Sequence, residues 1–288
     1  MTLPKVLLTG LLATLSGLCQ ANDLTLDAQR LDRIDAIIEA AINQGEIPGG
    51  NLLISQGNTI IKQQSYGTMT GAGQPVDDNT LFRLFSMTKP VTVVAALILY
   101  ERGHFLLDDP ITELWPELGD IDYYVSGEGD DMVTALANPG PTVRQLMMHT
   151  AGYYYPYGFH PVHKPMLEKP FPTNGISITE VAAEIASYPL LHKPGERWNY
   201  GYSLDVLAGL IEYLAQEPYD QFIQREILDP LGMKDTGYYV PPEKADRLMD
   251  NFNFDDDGQL IVSEKAADSS HLKEDPLTWG GTGLIGPI

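Results

Sequence analysis

The feature that most restricts the fold is the run from Val91 to Tyr100, almost continuously apolar and closed by Arg102-Gly103-His104. Such a run predicts a helix buried on most sides, around which other elements must pack. Upstream, Leu31, Ile34, Ile37, Ile38, Ala41 and Ile42 recur at helical spacing among Asp, Arg and Glu, an amphipathic helix closed by Gly45 and Pro48. Two strand-like runs follow, Asn51 to Ser55 and Thr59 to Tyr66, separated by Gln56-Gly57-Asn58 as a β-hairpin requires. A helix followed by antiparallel strands points to an α+β, mixed α/β architecture with helices packed on a sheet. From Asp108 to Pro241 helices and long loops dominate, among them Ile178 to Ser187 and Ser203 to Leu214.

The 288 residues suit one large domain in two lobes. The expected division is a sheet lobe of about residues 22–85 and 241–288 and a helical lobe of about 86–240. Acidic residues number 39 against 18 basic ones, and the net charge of -21 argues against nucleic acid and anionic membrane surfaces as partners. Residues 1–21 read as a signal peptide: Lys5, an apolar stretch Val6 to Leu18, then Cys19-Gln20-Ala21 ahead of a cleavage before Asn22. That stretch is shorter than the roughly 20 residues a membrane span takes, so the expectation is a periplasmic or secreted protein. Cys19 also admits a lipoprotein reading, which Leu18 directly before it fits poorly. As Cys19 is the only cysteine, disulfide, zinc-thiolate and cysteine-nucleophile chemistry are not expected.

Ser86-Met87-Thr88-Lys89 sets a hydroxyl and an amine three residues apart, on one face of a helix. A serine hydroxyl is a weak nucleophile until a neighbouring base takes its proton, and a lysine in suitable surroundings can do so. The same spacing occurs at Ser270 and Lys273, in the polar stretch Asp268-Ser269-Ser270-His271. Ser86 instead follows Leu81-Phe82-Arg83-Leu84-Phe85 and precedes the apolar helix, and Pro90 suits a first helical turn. Helix N–H groups there favour developing negative charge. A serine at this position also serves simply as a helix cap.

Phe85-Ser86-Met87-Thr88-Lys89-Pro90-Val91 and then Leu107-Asp108-Asp109-Pro110 resemble the serine β-lactamase-like superfamily, especially class C β-lactamases and family VIII carboxylesterases. His149-Thr150-Ala151-Gly152, Pro194-Gly195-Glu196, Trp198-Asn199-Tyr200 and Asp205-Val206-Leu207 follow in the same order, and the similarity runs from about Leu81 to Gly283. The resemblance implies a β-lactamase/transpeptidase-like fold, no cofactor or metal, and a small-molecule carboxylic ester or β-lactam as substrate. It assigns Ser86 as nucleophile, Lys89 as part of the base, and Tyr200 as the phenol facing the serine, with Tyr202 as the rival in the same Tyr-Gly-Tyr run. A phenol beside an ammonium has a lowered pKa and can shuttle the serine proton. Gly201 and Tyr202 stand where the lactamase form has Ala or Ser and then Asn, which shifts the expectation toward esters. Tyr202, Tyr153 and Tyr155 are the candidate substrate-binding residues, in a cluster that also holds Tyr154, Tyr157 and Phe159. The oxyanion is expected on the Ser86 N–H and a strand N–H.

Relatives of this type usually continue beyond Gly283 with further strands and a third motif, for which Trp279-Gly280-Gly281 comes too early, so an incomplete sheet and a truncated product are expected. The alternatives kept open are a D,D-peptidase and a catalytically inactive ligand-binding or cell-wall-sensing module. Asn253 to Glu264 partly matches a calcium-binding loop, but the strand-like Leu260-Ile261-Val262 favours a turn between two strands. His160 and His163, with Pro161 between them, read as loop histidines.

Overall fold

The computed structural model describes residues 27–169, 171 and 175–288, so the signal-peptide expectation lies outside the described residues. Helix α1 (Ala28–Asn43) starts where the Asp27 carboxylate accepts from the Gln29 and Arg30 N–H groups and stops just before left-handed Gly45. Strands β1 (Gly49–Gln56) and β2 (Thr59–Gly67) form the expected antiparallel hairpin, with Gly49 opposite Gly67. Asp35 ties α1 to β2 by accepting from Lys62 Nζ at 2.6 Å and from the Tyr66 hydroxyl.

Strand β3 (Phe82–Arg83) runs into a 3-10 turn at Phe85–Met87, and α2 (Thr88–Glu101) follows without a break. The middle of the chain holds α3 (Ile111–Leu114), the hairpin of β4 (Asp122–Ser126) and β5 (Val133–Leu136), then α4 (Val143–Met147) and α5 (Lys164–Glu168). Next come α6 (Ile178–Ala186), α7 (Ser203–Ala215) and α8 (Tyr219–Ile223), the last widening into a π turn at Gln224–Leu228. Capping boxes start α4 at Thr142 and α6 at Ser177. The β4–β5 hairpin was not expected in a stretch read as helices and loops. The chain closes with β6 (Asn251–Phe254), β7 (Leu260–Glu264) and β8 (Ile285–Gly286).

The architecture is mixed α and β, and among the described residues the strands form four separate antiparallel pairs, β1–β2, β3–β8, β4–β5 and β6–β7. The main core joins α2, α6, α7 and α8. Every residue of α7 from Ser203 to Ile211 is buried, and each large apolar side chain so placed contributes roughly 1.5–3 kcal/mol. The helix expected to be buried on most sides, α2, is instead one-sided. Thr88, Lys89, Thr92, Ala95, Ala96 and Leu99 face inward, whereas Val94, Leu97 and Tyr100 are exposed. Its small inward residues admit close packing against α7; apolar composition alone does not reveal which face is covered.

The segment Trp279–Leu284 threads between these two helices. Gly280 accepts from Thr92 Oγ1 at 2.6 Å, the Gly281 N–H donates to Asp205 Oδ1 at 2.7 Å, and the Leu284 N–H donates to Thr88 Oγ1 at 3.2 Å. Strand β8 then pairs with β3, which anchors the turn carrying Ser86. Among the described residues no helix is long and apolar enough to cross a membrane.

Candidate active site

Ser86 stands in the 3-10 turn ahead of α2, one residue after Phe85, whose φ of 43° lies in the left-handed region. A non-glycine residue held there stores roughly 1–3 kcal/mol of strain, sustained here by the β3–β8 pairing on one side and α2 on the other. One turn on, Lys89 is buried and its ammonium has two partners: it donates to Ser86 Oγ at 3.1 Å and to the Gly281 carbonyl at 2.6 Å. The carbonyl aims the amine at the hydroxyl.

Tyr200 arrives from the loop before α7, and its hydroxyl donates to Ser86 Oγ at 2.8 Å across 114 residues of sequence. The loop is held by Asn199 against the segment His149–Tyr153: its backbone N–H donates to the His149 carbonyl at 2.8 Å, and its side-chain Nδ2 donates to the Tyr153 carbonyl at 2.9 Å. Gly201 passes so close to the Tyr154 backbone that any Cβ would collide with it. This accounts for glycine where the lactamase form carries Ala or Ser. Rings complete the support. Trp198 stacks on Tyr200 with centroids 6.0 Å apart, His149 lies 4.8 Å away, and Lys89 Nζ sits 4.7 Å from the Tyr200 ring centre.

The electrostatics follow from this packing. Burial opposes ionisation of the Tyr200 phenol, but hydrogen bonding to Lys89 and Ser86 and the Lys89 charge outweigh it, so its pKa falls below the usual tyrosine value. Burial, aided by the Lys89 charge, lowers His149 to about 4, so its ring is neutral at neutral pH. Asp205, 1% exposed on α7, is pushed up to about 7 by burial, against the hydrogen bond from Gly281 and the attraction of Lys89.

Of the candidate residues, Ser86, Lys89 and Tyr200 meet at one oxygen. Tyr202 turns away, packing on Tyr155 at 4.6 Å and on Trp279 at 5.9 Å. Tyr155 bridges the two tyrosines, lying 5.6 Å from Tyr200. Tyr153, expected to bind substrate, is instead 2% exposed within the main core; Tyr154 beside it is also buried, and only further along does the cluster open, with Tyr155 half-buried and Tyr157 exposed. Around Ser86 the open surface is apolar and aromatic, with Met87 and Trp198 well exposed. Ser270 and Lys273 are both exposed, the serine in a 3-10 turn.

Asn253–Glu264 forms the β6–β7 hairpin, and Glu264 pairs with Arg83 at 3.3 Å. His160 accepts from the Val162 N–H, and His163 stacks on Tyr154. No group of three or more His, Cys, Asp or Glu suited to a metal ion occurs among the described residues. Asp205 is the site residue that sequence reading passed over. A lone carboxylate inside the apolar run Leu204–Ile211 was the available signal, because a buried charge is costly unless it has a partner.

The Beta-lactamase family model matches residues 34–285, and the chain belongs to that family. A Mycobacterium tuberculosis protein is 32% identical over 80% of this chain and 57% of its own length. Esterase EstB of Burkholderia gladioli is 29% identical over 76% of this chain and 55% of its own. The chain therefore spans a little over half the length of these curated relatives. The solved structure of EstCE1, a hydrolase with promiscuous acyltransferase activity, shares the fold with a TM-score of 0.73 at 24% identity, covering 89% of this chain and 69% of that one.

Proposed function

We propose that the protein is a serine hydrolase that cleaves small carboxylic esters through an acyl-enzyme on Ser86. The observation that carries this reading is the convergence of Lys89 Nζ at 3.1 Å and the Tyr200 hydroxyl at 2.8 Å on a single serine oxygen. Two proton-carrying groups of different acidity then flank the nucleophile.

In the first step Ser86 Oγ attacks the ester carbonyl carbon while its proton passes to the Tyr200 phenolate, which the Lys89 ammonium favours. The carbonyl π pair moves to oxygen, and the Ser86 N–H at the head of α2 is placed to receive that charge. Collapse expels the alcohol oxygen, which takes the proton from Tyr200. Water then repeats the sequence: it attacks the acyl carbon, gives its proton to Tyr200, and Ser86 leaves carrying that proton. The exposed Met87 and Trp198 and the half-buried Tyr155 supply apolar contacts for the substrate.

Esters are favoured over β-lactams by the esterase name of one relative and by Tyr202, which packs on Trp279 where the lactamase form carries an amide side chain. Export to the periplasm or medium is proposed on Lys5 and the apolar Val6–Leu18 stretch. The test compares p-nitrophenyl butyrate, nitrocefin and a D-Ala-D-Ala peptide on one preparation. Turnover of the butyrate foremost is expected; a folded protein that cleaves only the lactam or the peptide moves the assignment to that chemistry, and one that cleaves none overturns it.

A further inference from the structure

We infer that Asp205 is a positioning residue, whose carboxylate holds the Gly281 N–H so that the carbonyl of the same residue, in the next peptide group, seats Lys89 against Ser86. The inference rests on the Ser86 reading above and deepens it. Its basis is a continuous chain of short contacts between two helices. Asp205 Oδ1 on α7 accepts from the Gly281 N–H at 2.7 Å, the Gly281 carbonyl accepts from Lys89 Nζ at 2.6 Å, and Lys89 Nζ donates to Ser86 Oγ at 3.1 Å.

The geometry leaves Gly281 little freedom. A Cβ on it would strike the Asp205 carboxylate, so only glycine lets the peptide approach this closely. Its neighbour Gly280 is held by Thr92 from α2, whose hydroxyl also meets the Tyr219 hydroxyl of α8 at 2.7 Å. With Thr92 on the carbonyl and Asp205 on the N–H of the single Gly280–Gly281 peptide, that peptide is fixed from both helices, and with it the Gly281 carbonyl one bond further on. A carboxylate that is 1% exposed would be an unfavourable way to fill a core position unless its contacts were used.

Ionisation tunes the grip. A carboxylate binds an N–H about twice as strongly as a neutral acceptor does. The groups facing Asp205 are the Lys89 ammonium of α2 and the phenols of Tyr155, Tyr200, Tyr202, Tyr219 and Tyr238. Burial places the Asp205 pKa at about 7. The firm grip is therefore present above that pH and loosens as pH falls through it.

The experiment measures kcat and KM for p-nitrophenyl butyrate from pH 5.5 to 8.5 in wild type and Asp205→Asn, with circular dichroism to verify folding. At pH 8.5 the variant is expected to lose kcat on the order of tenfold with KM within about twofold, as a small misplacement of Lys89 requires. At pH 5.5, where wild type carries a protonated Asp205, the deficit is expected to shrink to about twofold. A deficit equal at both pH values, or none, overturns the inference while leaving the Ser86 reading intact. If Asp205→Asn does not fold, the wild-type profile decides: kcat must fall as pH drops through about 7, and a flat profile there overturns the inference. A folded wild type with no ester turnover sinks the underlying reading, and this inference with it.

Discussion

Two regions of the molecule carry the same Ser-x-x-Lys spacing and differ in everything behind it. At Ser86 the lysine is buried, the Gly281 carbonyl of the 279–284 segment aims it and a distant phenol meets the same oxygen. At Ser270 serine and lysine stand exposed in a surface turn. The spacing brings an amine near a hydroxyl, but only packing confines the amine and lowers the cost of moving the proton. The difference lies in α7 and the 279–284 segment, which wall one pair and not the other.

The most direct way to break this contrast is to delete each serine. Ser86→Ala is expected to lower kcat for p-nitrophenyl butyrate on the order of a thousandfold or more, while Ser270→Ala leaves it unchanged. Equal losses would mean that the walled pair has no special role. The packing behind the two pairs can be compared by chemical denaturation. Leu207→Ala, fully buried on α7, is expected to cost about 3 kcal/mol, and Leu272→Ala, half-buried beside Ser270, under about 1.5 kcal/mol. Next, Tyr200→Phe removes the phenol that only Ser86 possesses and should lower kcat about a hundredfold with little change in KM.

The smallest effect is one of pH. His149 backs Tyr200 with a pKa lowered from 6.5 to about 4 by burial and then by the Lys89 charge. Below pH 6.5 the unfolded chain binds this proton and the folded one does not, so stability falls with pH until about 4. The loss between pH 7.5 and 5 is expected to be about 2 kcal/mol, absent in His149→Phe. Urea midpoints at the two pH values measure it; the same slope in both proteins would show that the ring is not held neutral.

Local patterns were legible. Helix α1 and the β1–β2 hairpin follow from apolar periodicity and a glycine turn, both of which act over a few residues. The outward face of α2 was not legible, because Val94, Leu97 and Tyr100 have the composition of buried residues while no described element covers them. The β4–β5 hairpin was missed because strands as short as Val133–Leu136 carry too little alternation to stand out. Of the site, Ser86 and Lys89 share a helical turn and could be paired by spacing. Tyr200 reached Ser86 only through the family resemblance, and Asp205, although within the matching run Asp205-Val206-Leu207, received no role, because its contact with Gly281 spans 76 residues. The tyrosine cluster did not reveal which of its rings face outward: Tyr157 is exposed and Tyr155 half-buried, while Tyr153 and Tyr154 stay buried.

The central claim is that one serine, and not its equally spaced counterpart, is made reactive by what surrounds it. Incubating the folded protein with a fluorophosphonate and mapping the adduct by peptide mass spectrometry tests this most directly. A single adduct on Ser86 that disappears in Tyr200→Phe or Lys89→Met is the predicted result. Modification of Ser270 at a comparable rate, or no adduct on a folded sample, would contradict it.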